Sequence, residues 1–123
     1  MKERIQDAAN RWADAVRTRV PENVLKAYHT DSGLWGTFSG KYMHGHEEIK
    51  EYFIELSQKE NLKCEFISGH VRQFQEFAFF SGSYEFSWTE SGNPICKPAR
   101  FSFVYKRESD HWLIIEHHSS LFP

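Results

Sequence analysis

The chain has 123 residues, a length that fits one domain with a hydrophobic core of its own. Fifteen Lys and Arg residues against 17 Asp and Glu residues leave a formal net charge of -2, so no overall positive field would attract nucleic acid or an anionic membrane. We therefore expect a single domain over residues 1–123, with neither nucleic acid nor a membrane as a partner. The N-terminus MKERIQDAANRW is charged, and no apolar run approaches the roughly 20 residues of a membrane span, which predicts a cytoplasmic protein.

Aromatic residues make up 16% of the chain, and Phe alone occurs 11 times. A plain core of this size needs fewer large flat side chains. Either both faces of a sheet are packed, or a cavity is lined with rings.

The first half of the chain predicts three helices. Ile5, Trp12 and Val16 recur at helical spacing within the first, and the second begins at Pro21 and carries Tyr28 on its apolar stripe. The third contains EEIKEYFIEL and ends near residues 57–58. Before it, residues 34–38 and 42–44 predict a small hairpin around the turn at Ser39-Gly40.

The second half predicts strands over residues 63–74, 77–89, 99–106 and 112–119. The segments between them are short and turn-like, and such segments cannot hold crossover helices. The fold class is therefore α+β, with three N-terminal helices packed on a strongly twisted antiparallel sheet.

Simple hairpins would place Tyr84 opposite Arg100 and Ser102 opposite His117. One sheet face would then line a cavity with rings, one cation, one imidazole and two hydroxyls, as ligand cavities usually are. The expected lining residues, with Trp35 and Tyr28 near the cavity mouth, are Tyr84, Phe86, Trp88, Arg100, Ser102, His117 and Ser119. The other face would collect further rings, which predicts a homodimer through Phe101, Phe103, Tyr105, Trp112 and His118. A slip of one residue or a single bulge would exchange members between the two faces.

Two segments, GTFSGKYMHGHEEIKEYF and PARFSFVYKRESDHWLIIEHHSS, resemble the association-domain branch of the nuclear transport factor two-like superfamily. This branch includes the oligomerisation domain of calcium/calmodulin-dependent protein kinase II. The resemblance covers nearly the whole chain and implies a cone-shaped, cystatin-like roll. It leaves function open, since the scaffold resembles that of isomerases, polyketide cyclases, dehydratases and pure oligomerisation modules. The kinase relatives have an arginine-rich pocket, and Ser119 stands at one of those arginine positions.

Arg100 is the clearest cation of the predicted cavity. A buried guanidinium needs a carboxylate partner, which could belong to a ligand or to Glu65 or Glu85 of the chain itself. His117 and His118 are adjacent on a strand and must point to opposite faces, so at most one lies in the cavity. His117 could act as a general base, or it could be a hydrogen-bonded core residue.

Asp31 is a second candidate base, although a turn residue that ends a helix is the simpler interpretation. His44, His46 and His70 lack a third metal ligand at defined spacing. Cys64 and Cys96 also lack the spacing of metal ligands. We expect them to be reduced thiols, with a single disulfide as the alternative. We expect no metal and no cofactor.

Two functional hypotheses follow. The first is a small-molecule-binding or oligomerisation domain with an aromatic cavity that contains Arg100. The second is a cofactor-independent isomerase, cyclase or dehydratase that uses His117 or Asp31 as its base and Tyr84 or Arg100 to stabilise an oxyanion. Catalysis needs the base and the oxyanion donor in one space, whereas binding needs only the cavity.

Overall fold

A computed structural model describes residues 3–123 of the chain. Over these residues it has three helices and six strands. They are α1 (Ile5–Thr18), α2 (Pro21–Leu25), β1 (Tyr28–Trp35), β2 (Tyr42–His44), α3 (Gly45–Leu56), β3 (Glu60–Phe74), β4 (Phe77–Glu90), β5 (Asn93–Glu108) and β6 (His111–Leu121). The predicted α+β class is confirmed. Within the described residues, no helix is long and apolar enough to cross a membrane.

Helix α1 follows the predicted apolar stripe, because Ile5, Trp12 and Val16 are all buried. It ends at Arg19, whose left-handed backbone (φ 60°) lets its N–H reach the carbonyl of Val16. The second helix is shorter than predicted and stops at Leu25. Tyr28 belongs to β1 instead, because the chain there pairs with β6 at Ile114.

The strands form one sheet in the order β2-β1-β6-β5-β4-β3. Strands β3 to β6 make the predicted antiparallel meander, and β1 and β2 make the predicted hairpin, with Trp35 opposite Tyr42. The sheet is not antiparallel throughout, since β1 lies parallel to β6. The helices pack on one face, which we call the inner face, and leave the other, the outer face, without a helical layer.

The predicted register of β5 is wrong by one residue on both sides. Tyr84 pairs with Ala99 rather than Arg100, because Ser91 and Gly92 (φ 52° and 80°) form a two-residue hairpin turn that makes Glu90 pair with Asn93. Ser102 pairs with His118 rather than His117, because a bulge in β6 leaves Ile115 without a partner.

These shifts move residues between the predicted faces. Arg100 and Ser102 are exposed on the outer face, so they do not line an interior cavity. The side chains predicted to form the dimer surface are buried in the core instead, apart from His118, and these are Phe101 (4% exposed), Phe103 (0%), Tyr105 (1%) and Trp112 (2%). Because the side-chain period of a strand is two, one residue of slip inverts the whole strand.

Candidate functional site

A chain of hydrogen-bonded side chains crosses the aromatic core. The Trp12 indole donates to the Tyr28 hydroxyl at 3.1 Å, and that hydroxyl lies 2.8 Å from His117 Nδ1. On the other side of the imidazole, Nε2 lies 3.0 Å from the Tyr84 hydroxyl. Helix α1, strand β1 and strand β6 each contribute one polar group to this part of the core.

This path of hydrogen bonds continues outward from Tyr84 toward the surface. The Tyr84 hydroxyl donates to Ser119 Oγ at 2.6 Å, and Ser119 is hydrogen-bonded to Thr37 in the loop between β1 and β2. Thr37 is half-buried, whereas Ser119 is 4% exposed. The polar path therefore ends at the loop that covers this end of the core.

The donors of this path all point the same way. An indole N–H can only donate, so the single proton of the Tyr28 hydroxyl is available for His117 Nδ1. A neutral imidazole then carries its proton on Nε2, which donates to Tyr84, and the Tyr84 hydroxyl donates to Ser119. This order assigns the Nε2–H tautomer to His117 and directs the protons of Trp12, Tyr28, His117 and Tyr84 toward Ser119.

Burial keeps these groups neutral. Burial, with a smaller contribution from the neighbouring His118, lowers the pKa of His117 to about 3. Burial also raises the pKa of Tyr28 and of Tyr84 well above the usual value. At neutral pH none of the three groups carries charge, so the arrangement supplies directed hydrogen bonds rather than an ionised base.

Protein side chains fill the space predicted as a cavity around Tyr84. The Tyr84 ring stacks on Phe101 at 4.7 Å and on Trp12 at 5.7 Å between ring centroids. Phe103 lies 5.2 Å from Trp12 and 4.3 Å from the His117 ring. These centroid distances are those of packed aromatic pairs, so the rings are the core.

The structure brings together six of the predicted site residues: Tyr28, Tyr84, Phe86, Trp88, His117 and Ser119 all lie on the inner face and are at most 7% exposed. It does not bring in the other predicted site residues, because Trp35 and Ser102 are exposed on the outer face with Arg100. Arg100 Nη2 donates to Ser120 Oγ at 3.4 Å, rather than pairing with Glu65 or Glu85. The predicted constellation of base and cation is thus divided between two faces.

Asp31 also lies away from the core. Its side chain is 79% exposed, and its Oδ1 lies 2.6 Å from Nε2 of His44. His46 binds the backbone carbonyl of Tyr28, and among residues 3–123 no three potential ligands cluster as a metal site would require. Cys64 is buried and Cys96 exposed, and both are free thiols.

The whole chain, residues 1–123, matches the family model of the calcium/calmodulin dependent protein kinase II association domain. The chain belongs to this family. A solved structure from Xanthomonas campestris, provisionally described as such an association domain, is 31% identical to this one. The superposition has a TM-score of 0.91 and covers 97% of this chain and 86% of that chain.

More distant structures share the fold with this association domain. A nuclear transport factor two-like protein from Streptomyces avermitilis, provisionally described as a dehydratase, is 14% identical, with a TM-score of 0.87 over 96% of this chain and 93% of that chain. A ketosteroid isomerase-like protein from Erwinia carotovora atroseptica is 18% identical, with a TM-score of 0.79 over 97% and 94%. Other neighbours are described as having a cystatin-like fold, which confirms that prediction. No curated protein matches the chain.

The association domain has a surface cleft of about 330 Å³ beside Phe38, the residue that follows Thr37. Its lining residues are Phe38, Tyr52, Glu55, Leu56, Gln58 and Lys59. Tyr52 fits against the loop because Gly36 has no side chain, since a Cβ there would come within 2.5 Å of the Tyr52 ring. The roles of Thr37 and Phe38 were not predicted from the sequence. The one indication was Phe38 itself, a large apolar residue in a turn of small and polar residues.

Proposed function

We propose that this chain is a self-association domain whose outer sheet face packs against a second copy of itself. Membership of an association-domain family supports the function, and one feature of the fold supports the surface. That feature is the uncovered face of a six-stranded sheet whose helices all pack on the opposite side. A sheet face of this extent usually packs against another layer.

The outer face carries exposed rings at two ends. Trp35 and Tyr42, each 41% exposed, lie with their ring centroids 5.4 Å apart at the end formed by β1 and β2. Phe74 and Phe77, 56% and 42% exposed, lie opposite each other at the hairpin between β3 and β4. Aromatic residues are enriched at protein interfaces relative to the rest of the protein surface.

The area between those ends holds small hydroxyl side chains beside the longer side chains of Arg100 and His118. The Ser68 and Ser83 hydroxyls lie 2.9 Å apart, as do those of Ser81 and Ser102. Short side chains that satisfy each other let a second sheet approach closely without leaving unpaired polar groups. A two-fold arrangement would place the same surface on both copies, as an isologous interface requires.

The test places a charge at the centre of this face. Ser81→Glu and Ser81→Lys should each retain the fold, because Ser81 is exposed, and should each yield the monomer mass of 14.6 kDa by light scattering. Both signs are used because like charges meet across a two-fold axis in either case. Asn10→Glu, on the exposed side of α1, is the matched control and should keep the mass of the unmodified chain. If both Ser81 variants keep that mass, the outer face is not the interface.

We also propose that residues 1–123 form a single domain. The cytoplasmic location stays a prediction from the sequence.

A further inference from the structure

Phe38 covers two aromatic side chains that would otherwise face the cleft. Its ring meets Phe86 and Trp88 edge to face, with centroid distances of 5.5 Å and 5.7 Å. Phe38 is 38% exposed, whereas Phe86 and Trp88 are 2% and 7% exposed. The Phe38 ring thus occupies a position against Phe86 and Trp88 at the surface of the core, which we call the ring site.

Thr37 anchors the loop that carries Phe38 through its hydrogen bond to Ser119, whereas residues 38–41 are held by longer bonds. The Phe38 N–H lies 3.4 Å from the Tyr52 hydroxyl, and the Ser39 N–H lies 3.2 Å from the carbonyl of Gly36. The Lys41 N–H lies 3.3 Å from Ser39 Oγ. Residues 36–41 belong to no helix or strand, since β1 ends at Trp35 and β2 begins at Tyr42. Bonds of this length are weak, so residues 38–41 can move while Thr37 keeps its bond to β6.

Hydroxyl groups that can donate hydrogen bonds lie near the ring site. The path from Trp12 directs its protons outward as far as Ser119, which is hydrogen-bonded to Thr37, the residue before Phe38. Tyr52 lies beside it, and burial raises the pKa of Tyr52 to about 12, which keeps its hydroxyl protonated. Hydrogen bonds in series polarise one another, which strengthens the terminal donor.

The cleft carries charges of both signs. Glu55 and Lys59 line it together, and the Lys59 ammonium lies 4.4 Å from the centroid of the Trp88 ring. This balance favours an uncharged ligand over an anion. The volume of about 330 Å³ exceeds the roughly 150 Å³ of an apolar cavity that holds benzene.

We propose that Phe38 is an exchangeable occupant of a binding site for small, neutral aromatic carbonyl compounds. The ligand ring replaces the Phe38 ring against Phe86 and Trp88, and its carbonyl oxygen accepts a hydrogen bond from Thr37 or Tyr52. The site lies on the inner side of the sheet, so it is independent of self-association through the outer face.

The experiment is a ¹⁹F NMR titration with 4-fluoroacetophenone, with 4-fluorotoluene as the ligand that lacks a carbonyl. Phe38→Ala removes the competing ring and should bind 4-fluoroacetophenone about tenfold more tightly than the unmodified chain. Phe77→Ala removes a ring of similar exposure, 42%, from the outer face and should bind like the unmodified chain. Thr37→Val should reduce the preference for the carbonyl compound over 4-fluorotoluene.

Equal affinity of Phe38→Ala and the unmodified chain would overturn the proposal, as would an equal gain in Phe77→Ala. If Phe38→Ala fails to fold, the unmodified chain decides the question through the indole N–H resonance of Trp88. That resonance, assigned with Trp88→Phe, must shift on addition of 4-fluoroacetophenone, and an unchanged resonance contradicts the proposal. None of these outcomes depends on the molar mass of the protein.

Discussion

The two faces of one sheet differ in almost every physical respect. On the inner face, rings from α1 and five strands pack at centroid distances of 4.3–6.4 Å around a neutral path of hydrogen bonds. On the outer face, the same strands present serines, Arg100 and His118 to solvent, with exposed rings at two ends. Neighbouring residues such as Ser102 and Phe103 belong to these two different environments.

This difference indicates where function can lie. A face filled by its own side chains stabilises the fold, and the polar groups within it are satisfied by one another. An uncovered face contributes little to the stability of the monomer and remains free to bind. The family shares its fold with proteins described as enzymes. Of the groups predicted for catalysis, His117 and Tyr84 lie together here in a core filled by protein side chains, whereas Asp31 and Arg100 are exposed away from them.

The largest expected effect comes from placing a charge on the inner face. Phe103→Glu buries a carboxylate at a position that is 0% exposed, which should cost at least about 4 kcal/mol of unfolding free energy and leave the chain largely unfolded. Circular dichroism during thermal unfolding measures this. Ser102→Glu, one residue away on the outer face, is the control and should keep a cooperative transition. A folded Phe103→Glu monomer would instead support the register predicted from the sequence.

A smaller effect should follow from cutting the polar path. Tyr84→Phe removes the acceptor of His117 Nε2 and the donor to Ser119 while keeping the ring in place. An unsatisfied buried donor should lower the unfolding free energy by up to about 3 kcal/mol, as measured by urea denaturation. Tyr42→Phe is the matched control on the outer face, where the exposed Tyr42 hydroxyl bonds to the half-buried Glu116, and it should change stability by less than about 0.5 kcal/mol. Equal losses of unfolding free energy in both variants would contradict the difference between the inner and outer faces.

Acidification should weaken the inner face in a defined range. His117 has its pKa lowered from 6.5 to about 3 in the folded state, so below pH 6.5 the unfolded chain binds the additional proton. The stabilisation is therefore complete above pH 6.5 and is lost as the pH falls toward about 3. Between pH 7 and pH 5, His117 should account for a loss of about 2 kcal/mol in unfolding free energy.

Urea denaturation at the two pH values tests this, with His117→Gln as the variant and His118→Gln as the exposed control. The difference between pH 7 and pH 5 should shrink in His117→Gln and persist in His118→Gln. The reverse order would mean that His118, not His117, is the buried imidazole.

The sequence predicted the helices, the strand order of the meander and the family, because these depend on periodicity and on the order of elements along the chain. The pairing of Tyr84 with Ala99 could not be predicted in the same way, since Glu90 to Asn93 could close as a short or a longer turn. The bulge at Ile115 left no recognisable pattern, and together the two features moved Arg100 to the outer face.

Tyr84, His117 and Ser119 were nevertheless predicted on one face, because the two one-residue errors add to a shift of two residues between β4 and β6, which leaves the face unchanged. Their partner Thr37 is 82 residues from Ser119 in sequence, and contacts over such distances depend on the folded sheet. The filling of the space by Trp12, Phe101 and Phe103 likewise depends on register, which composition does not encode.

The molar mass of the unmodified chain in solution tests the central claim most directly. Size-exclusion chromatography with light scattering at micromolar concentration should give twice the chain mass of 14.6 kDa, or a higher multiple, because the outer face is paired. A mass of 14.6 kDa across that concentration range would contradict self-association.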